Sequence, residues 1–317
     1  MVWSKPMKQN FLIGLFVVQV IVIALFLVAK SGGVRTPEAF LEFDVTTVDR
    51  FVIASKDESI ELTKEGENWV LPDGNPADKN KVDSVIGKLA DSGIDWPVAT
   101  SQSAARRFEV TQASYQKQIS VYSDQELLAD VYLGTSPSFR RVHAREAKKG
   151  DIYSIEFSNY EAGTSPSAWL DKSLLQPMGP IKSFERIGAY KLMQEDGKWT
   201  TESDAELDES KVRSYMDRFE SLSVFEFTDN VLADATTTTQ FAIEDDEGFF
   251  LLTIYHFDVA DDWVAVSDRR RSQYGVASYI GSQLVKGLKD LAPDEAIELE
   301  PDAESDDDIE EILIEAD

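Results

Sequence analysis

The chain has 317 residues, of which 43% are hydrophobic and 10% aromatic, enough apolar mass to build real cores and to exclude wholesale disorder. Its formal net charge is −27, which argues against nucleic acid and against an anionic lipid surface as partners, since both need a basic face. It contains no cysteine, so disulfides, thiolate nucleophiles and Cys-ligated metal or iron–sulfur sites are excluded.

Residues 11–29 carry no charge and a single polar side chain, Gln19. As a helix this run reaches roughly 28 Å, close to the thickness of a bilayer hydrocarbon core. It lacks the polar face of a soluble helix. It is longer than the apolar region of a secretory signal and ends in Val28-Ala29-Lys30 rather than a small-x-small site. Residues 1–30 therefore read as an uncleaved N-terminal membrane anchor. Lys5, Lys8 and the amino terminus precede the run, and Lys30 and Arg35 follow it, a bias toward N-terminus inside. The expected location is the inner membrane of a two-membrane cell, with the soluble region in the periplasm. Gln19 lies at mid-span, either as a tolerated polar residue or as a hydrogen-bonding contact to another membrane helix.

Residues 57–92 align without gaps with residues 187–222, and the identical pairs include Trp69/Trp199, Asp78/Asp208 and Lys81/Lys211. Each copy reads as a strand (Ile60, Leu62; Tyr190, Leu192), a glycine turn and a Trp. An Asp in helix N-cap position follows, then a helix with one apolar stripe: Val82, Val85, Ile86, Leu89 in the first copy, Val212, Tyr215, Met216, Phe219 in the second. Strand-like runs follow at 118–122, 127–133, 139–144 and 152–157, and again at 240–243, 249–257 and 263–266. Both copies are expected to close on a short amphipathic helix, with Trp169-Leu170 matched to Tyr279-Ile280. The fold class is α+β: an N-terminal transmembrane helix, then two repeated units, each a mostly antiparallel sheet with one or two helices. The first unit spans 31–177 and the second 178–291, divided where Pro177, Gly179 and Pro180 cluster. Residues 292–317 read as an acidic disordered tail; 290–317 hold 14 of the 58 carboxylates and no Lys or Arg.

No motif for covalent chemistry stands out. The two histidines, His143 and His256, lie in strand-like runs, and neither accompanies a presented nucleophile. No HExxH, Walker A, GxGxxG or EF-hand pattern occurs. Accordingly no catalytic, metal or cofactor-binding residue is assigned, and the chain does not read as an enzyme. Arg269, Arg270 and Arg271 form the one compact basic cluster, either a solvated loop or a contact for an anion or acidic partner.

An ordered series of short motifs resembles domain-of-unknown-function family 4340. It runs from the N-terminal span to Val48-Asp49-Arg50-Phe51-Val52-Ile53, Gly66 with Trp69, and Pro76-Ala77-Asp78 before the first helix. Val131-Tyr132-Leu133-Gly134 and Trp169-Leu170-Asp171-Lys172 complete it. Members are described as auxiliary components of gliding-motility-type ABC transport systems. The resemblance implies an extracytoplasmic accessory subunit that docks on an ABC transporter permease or another membrane subunit through protein–protein contacts. It supplies no catalytic residues. The alternative is an extracytoplasmic ligand-binding module for a glycan or lipid fragment, with a site between the two units.

Overall fold

The computed structural model describes residues 7–31, 38–203 and 205–294. Helix α1 (Met7–Ser31) contains the apolar run. Its described side chains are exposed, Phe11 at 72% and Phe16 at 66%. The transmembrane part of the expected fold is reduced here to the helix itself: among the described residues no helix is long and apolar enough to cross a membrane. The α1 side chains that are described cover residues 11 and 13–25, short of the roughly 20 that a span takes. Lys5 and Arg35, which bear on orientation, lie outside the described residues, as does the acidic tail from residue 295 onward.

The chain divides into two compact units, Met1–Lys172 and Ser173–Asp317. The boundary precedes the expected Pro/Gly cluster because that cluster is already tied into the second unit, where Met178 N–H donates to the Asp245 carboxylate at 2.7 Å.

After α1 the first unit runs through β1 (Glu38–Ala39), β2 (Arg50–Ala54), β3 (Ser59–Glu65), β4 (Asn68–Val70) and α2 (Lys79–Ala90). It continues with β5 (Gly93–Ile94), α3 (Gln102–Arg107), β6 (Val110–Thr111), β7 (Ser114–Tyr115), β8 (Lys117–Ser123), β9 (Glu126–Leu133), β10 (Val142–Glu146) and β11 (Tyr153–Ile155). The main sheet is antiparallel, in the order β11-β10-β9-β8-β2-β3-β4. Period-two alternation puts Phe51 and Ile53 of β2, Ile60 and Leu62 of β3, and Ile119 and Val121 of β8 in the core. The α2 stripe is buried as well, and Trp169 meets Phe51 edge-on with ring centroids 5.9 Å apart.

The second unit comprises β12 (Ser183–Arg186), β13 (Tyr190–Glu195), β14 (Lys198–Thr201), α4 (Glu209–Glu220) and β15 (Val224–Thr228). Then come β16 (Thr237–Asp245), β17 (Gly248–Phe257), β18 (Asp262–Ser267), β19 (Gln273–Val276) and α5 (Ser278–Leu284). Its sheet is also antiparallel, ordered β14-β13-β12-β16-β17-β18-β19-β15. Strand for strand this is the order of the first sheet, with β15 added at the far edge. An aromatic cluster fills the core: Phe184 lies 4.8 Å from Phe219 and 5.5 Å from Tyr215.

The two helices start alike. Asp78 accepts the Lys81 N–H at 3.0 Å, and Asp208 accepts those of Ser210 and Lys211 at 2.8 and 3.1 Å. Hydrogen bonds from Ser210 and Lys211 hold the Asp208 carboxyl below its usual range. Trp69 and Trp199 fall in the matching edge strands β4 and β14, the first fully buried and the second partly. The closing segments depart from expectation. Asp78 N–H donates to the Trp169 carbonyl at 2.7 Å, and Asp208 N–H donates to the Leu291 carbonyl at 2.8 Å. Lys81 Nζ donates to the Ala168 carbonyl, and Lys211 Nζ to that of Ala292. The counterpart of Trp169 is thus Leu291, equally buried, and not Tyr279, which is 70% exposed on α5. The strand expected over 139–144 begins only at Val142, because Ser138 to Arg141 form a turn.

Candidate functional site

The basic cluster separates into three different environments. Arg269 lies beside Asp245, whose side chain has no exposure, and its two terminal nitrogens donate to the two carboxylate oxygens at 2.5 and 2.8 Å. Arg269 also donates to the Gly248 carbonyl at 3.0 Å and lies 4.1 Å over the Phe250 ring. Asp245 further accepts the N–H groups of Met178 and Glu247. Arg269 first, and then those amides, hold its carboxyl down at about 2. Arg270 donates Nε to the Leu174 carbonyl at 3.2 Å. Arg271 is exposed. The first two arginines are therefore engaged in holding the second unit together, and Arg271 is the one whose side chain faces solvent. Gln19 is exposed on α1.

Of the two histidines, His143 faces a hydroxyl and His256 a pair of carboxylates. His143 is buried against Phe108, ring centroids 4.0 Å apart, and its Nδ1 lies 2.9 Å from Thr135 Oγ1. Burial pushes its pKa down. His256 stacks on Trp263 at 4.1 Å, with Asp258 on one ring nitrogen and Asp261 on the other at 3.2 and 3.0 Å. Both carboxylates are themselves largely exposed. Among the described residues no group of three or more His, Cys, Asp or Glu could hold a metal ion.

Two open cavities of about 700 Å³ each lie in the first unit. One lies at α3 and the β6–β7 hairpin. Two cations line it, the exposed Arg106 and Arg145, and the latter is taken up by backbone, donating to the carbonyls of Val110 and Lys149 at 2.5 and 2.8 Å. The other is walled by the C-terminal end of α2, the β9–β10 connection and the segment after β11. It gathers Lys88, Asp91, Arg140, Arg141, Glu156 and Glu161. Lys88 and Glu161 pair at 2.9 Å, and Arg141 Nε donates to Ser154 Oγ at 2.9 Å. The side chains of Arg140, Asp91 and Glu156 make no hydrogen bond to any described residue, and Arg140 lies 5.2 Å over the exposed Phe139 ring.

Arg140 occupies the third position of the turn closed by Arg141 N–H to Ser138 O, at φ +54°. Gly or Asn ordinarily fills that left-handed position. This cavity was not anticipated from sequence. Its cationic wall sits in a stretch that alternates like a strand, and the warning lay in Pro137 just before Ser138-Phe139.

No curated protein and no solved structure matches the chain. A family model does, that of the Domain of unknown function (DUF4340), over residues 69–240. The match runs from Trp69 on β4 into β16 and takes in both Asp-capped helices. Because it covers more than half of the 317 residues, the chain belongs to the DUF4340 family.

Proposed function

We propose that the chain is a membrane-tethered accessory subunit of an ABC-type transport complex of the gliding-motility kind, working outside the cytoplasm through protein–protein contacts rather than covalent chemistry. The observation that carries this reading is α1. Its described side chains between Phe11 and Leu25 are exposed and apolar apart from Gly14 and Gln19. A surface of that kind costs about 25 cal/mol per Å² left in water. The uncharged run 11–29 in the sequence extends it to the length of a span. Gln19 then offers an amide at mid-membrane, where a polar partner on a neighbouring helix stabilises it by about 0.6–2 kcal/mol.

The test is purification of the full-length chain from membranes in mild detergent, with identification of what accompanies it. The expected result is that the chain resists carbonate washing and brings down a permease and its ATPase, and that Gln19→Leu lowers their yield partially. Release of the chain by carbonate, or recovery without any transporter subunit, would overturn the reading.

A further inference from the structure

We propose that the cavity at α3 and the β6–β7 hairpin binds a small organic anion, through a carboxylate or phosphate group held between Arg106 and Arg145. The inference is independent of the transport reading. It rests on the charge of the cavity, on the support beneath it and on the contrast between the two units.

Charge is the decisive observation. The chain carries 58 Asp and Glu against 31 Lys and Arg, yet no carboxylate lines this cavity, and its two charged side chains are both arginines. Neither arginine forms an ion pair with a described residue. The carboxylate next to Arg145 in the chain, Glu146, is paired with Lys149 at 2.7 Å. Arg145 is half-buried, and the groups that accept its Nε and Nη1 are neutral carbonyls, which orient the guanidinium without cancelling its charge. Its Nη2 donates to no described residue. A partly desolvated cation without a counter-charge is unfavourable, and a bound oxyanion supplies that charge together with charge-assisted hydrogen bonds. Thr100, Gln102 and Gln112 add neutral donors to the same walls. A cationic ligand would meet two guanidiniums, and a neutral polyol would leave their charge uncompensated. At about 700 Å³ the cavity is large for an inorganic ion and suits a ligand with a carbon body, to which Ala105 offers an apolar contact.

The walls are held from beneath. Ala104, Ala105, Val110, Tyr132 and Ile152 form a buried cluster of their own, against which Phe108 and Tyr115 pack. The Arg145 guanidinium lies 5.2 Å over the Tyr132 ring of that cluster. The cation is thus oriented before a ligand arrives, which lowers the ordering cost of binding. The antiparallel sheet does not need this layer. Between α4 and β16 the second unit has β15 and a 3-10 turn, with no counterpart of α3 or of the hairpin, and it still completes the same strand order.

The experiment screens the full chain in a non-ionic detergent at physiological salt by thermal shift. The panel is organic carboxylates and phosphate monoesters, succinate and glycerol 3-phosphate among them, with glycerol and choline as neutral and cationic controls. The most stabilising anion is then titrated by calorimetry beside inorganic phosphate. The expected result is saturable binding of an organic anion, tighter than that of inorganic phosphate, and none of glycerol or choline. Which anion binds distinguishes a carboxylate from a phosphate ligand. Arg106→Ala should weaken binding about tenfold, Arg106→Glu should abolish it, and Arg271→Ala, at an exposed arginine of the second unit, should leave it unchanged. Arg106 is itself exposed, so equal melting temperatures of the unliganded proteins keep folding out of the comparison. The proposal fails if no anion of the panel binds, or if glycerol, choline or inorganic phosphate binds as tightly as the best organic anion. It also fails if both Arg106 variants leave the titration unaltered, or if Arg271→Ala weakens it as much as Arg106→Ala does.

Discussion

Asp245 gives up all of its side-chain hydration in the second unit, and Arg269 replaces that water with two parallel charge-assisted hydrogen bonds. Removing the cation alone strands a buried charge, so Arg269→Met should lower unfolding free energy by about 3–5 kcal/mol in urea titrations at neutral pH. The pair also carries a pH signature. The Asp245 carboxyl sits at about 2 in the fold against an ordinary 3.8. A lowered acid stabilises above its unfolded pKa and loses that contribution as pH falls through the folded one. About 2 kcal/mol is therefore present above pH ~4 and fades toward pH ~2. The gap between wild type and Arg269→Met should narrow across that window; a constant gap would mean that Asp245 is not the group involved. A different constraint acts at Gly134. A Cβ there would fall 1.9 Å from the Phe108 carbonyl oxygen and 2.6 Å from that of Glu109, both backbone. Gly134→Ala should cost roughly 1–3 kcal/mol or more, since only a shift of the Thr135 N–H to Phe108 O contact can relieve the overlap. A stability equal to wild type in the same urea titration would contradict that close approach.

At the scale of elements, the two capped helices give the sharpest expectation. Asp78→Ala and Asp208→Ala should each destabilise by about 1 kcal/mol, with Asn at either position recovering most of it, measured by urea unfolding. These caps and the stripes behind them were legible in the sequence because every signal is local, an Asp three residues before the N–H it binds and apolar groups at i, i+3, i+4, i+7. The strands β8, β9, β16, β17 and β18 were legible for the same reason, through alternation. What was not legible depends on distant partners. Trp169 and Leu291 correspond because cap N–H groups of Asp78 and Asp208 reach them, far along the chain, and nothing in the helical spacing around Tyr279 reveals it. For Arg269 the sequence left a solvated loop and an acidic contact both open, and only folding brings Asp245, 24 residues away, to it. Phe139 mimicked a strand residue by its apolar character, although it stands 86% exposed on a turn. The helix α3 and the β6–β7 hairpin are too short to build a periodic signal at all.

For the whole molecule the question is where the folded chain stops needing its own length. Leu291 is fully buried, its carbonyl accepts the Asp208 N–H, and the Ala292 carbonyl accepts Lys211 Nζ at 2.9 Å. Asp294 then pairs with Lys211 at 2.6 Å but is itself 92% exposed, which makes that contact worth little. The residues 288–292 are therefore bonded into the second unit. Beyond Asp294 the sequence adds twelve carboxylates and no cation, so removing 295–317 takes the formal net charge from −27 to −15. Like charges in one stretch repel one another and the acidic remainder of the chain. Truncation after Asp294 should accordingly leave the melting temperature within about 2 °C of the full chain, or raise it slightly at low salt. Truncation after Gly287 removes the Leu291 anchor and the partners of Asp208 and Lys211. Losing a buried leucine costs about 2–5 kcal/mol, and at about 2–4 °C per kcal/mol the melting temperature should drop by roughly 5 °C or more. Calorimetric scans of the two truncations at low and high salt separate the cases. A large drop already on removing 295–317 would show that the acidic segment packs on the folded chain, and repulsion would then be the wrong account of it.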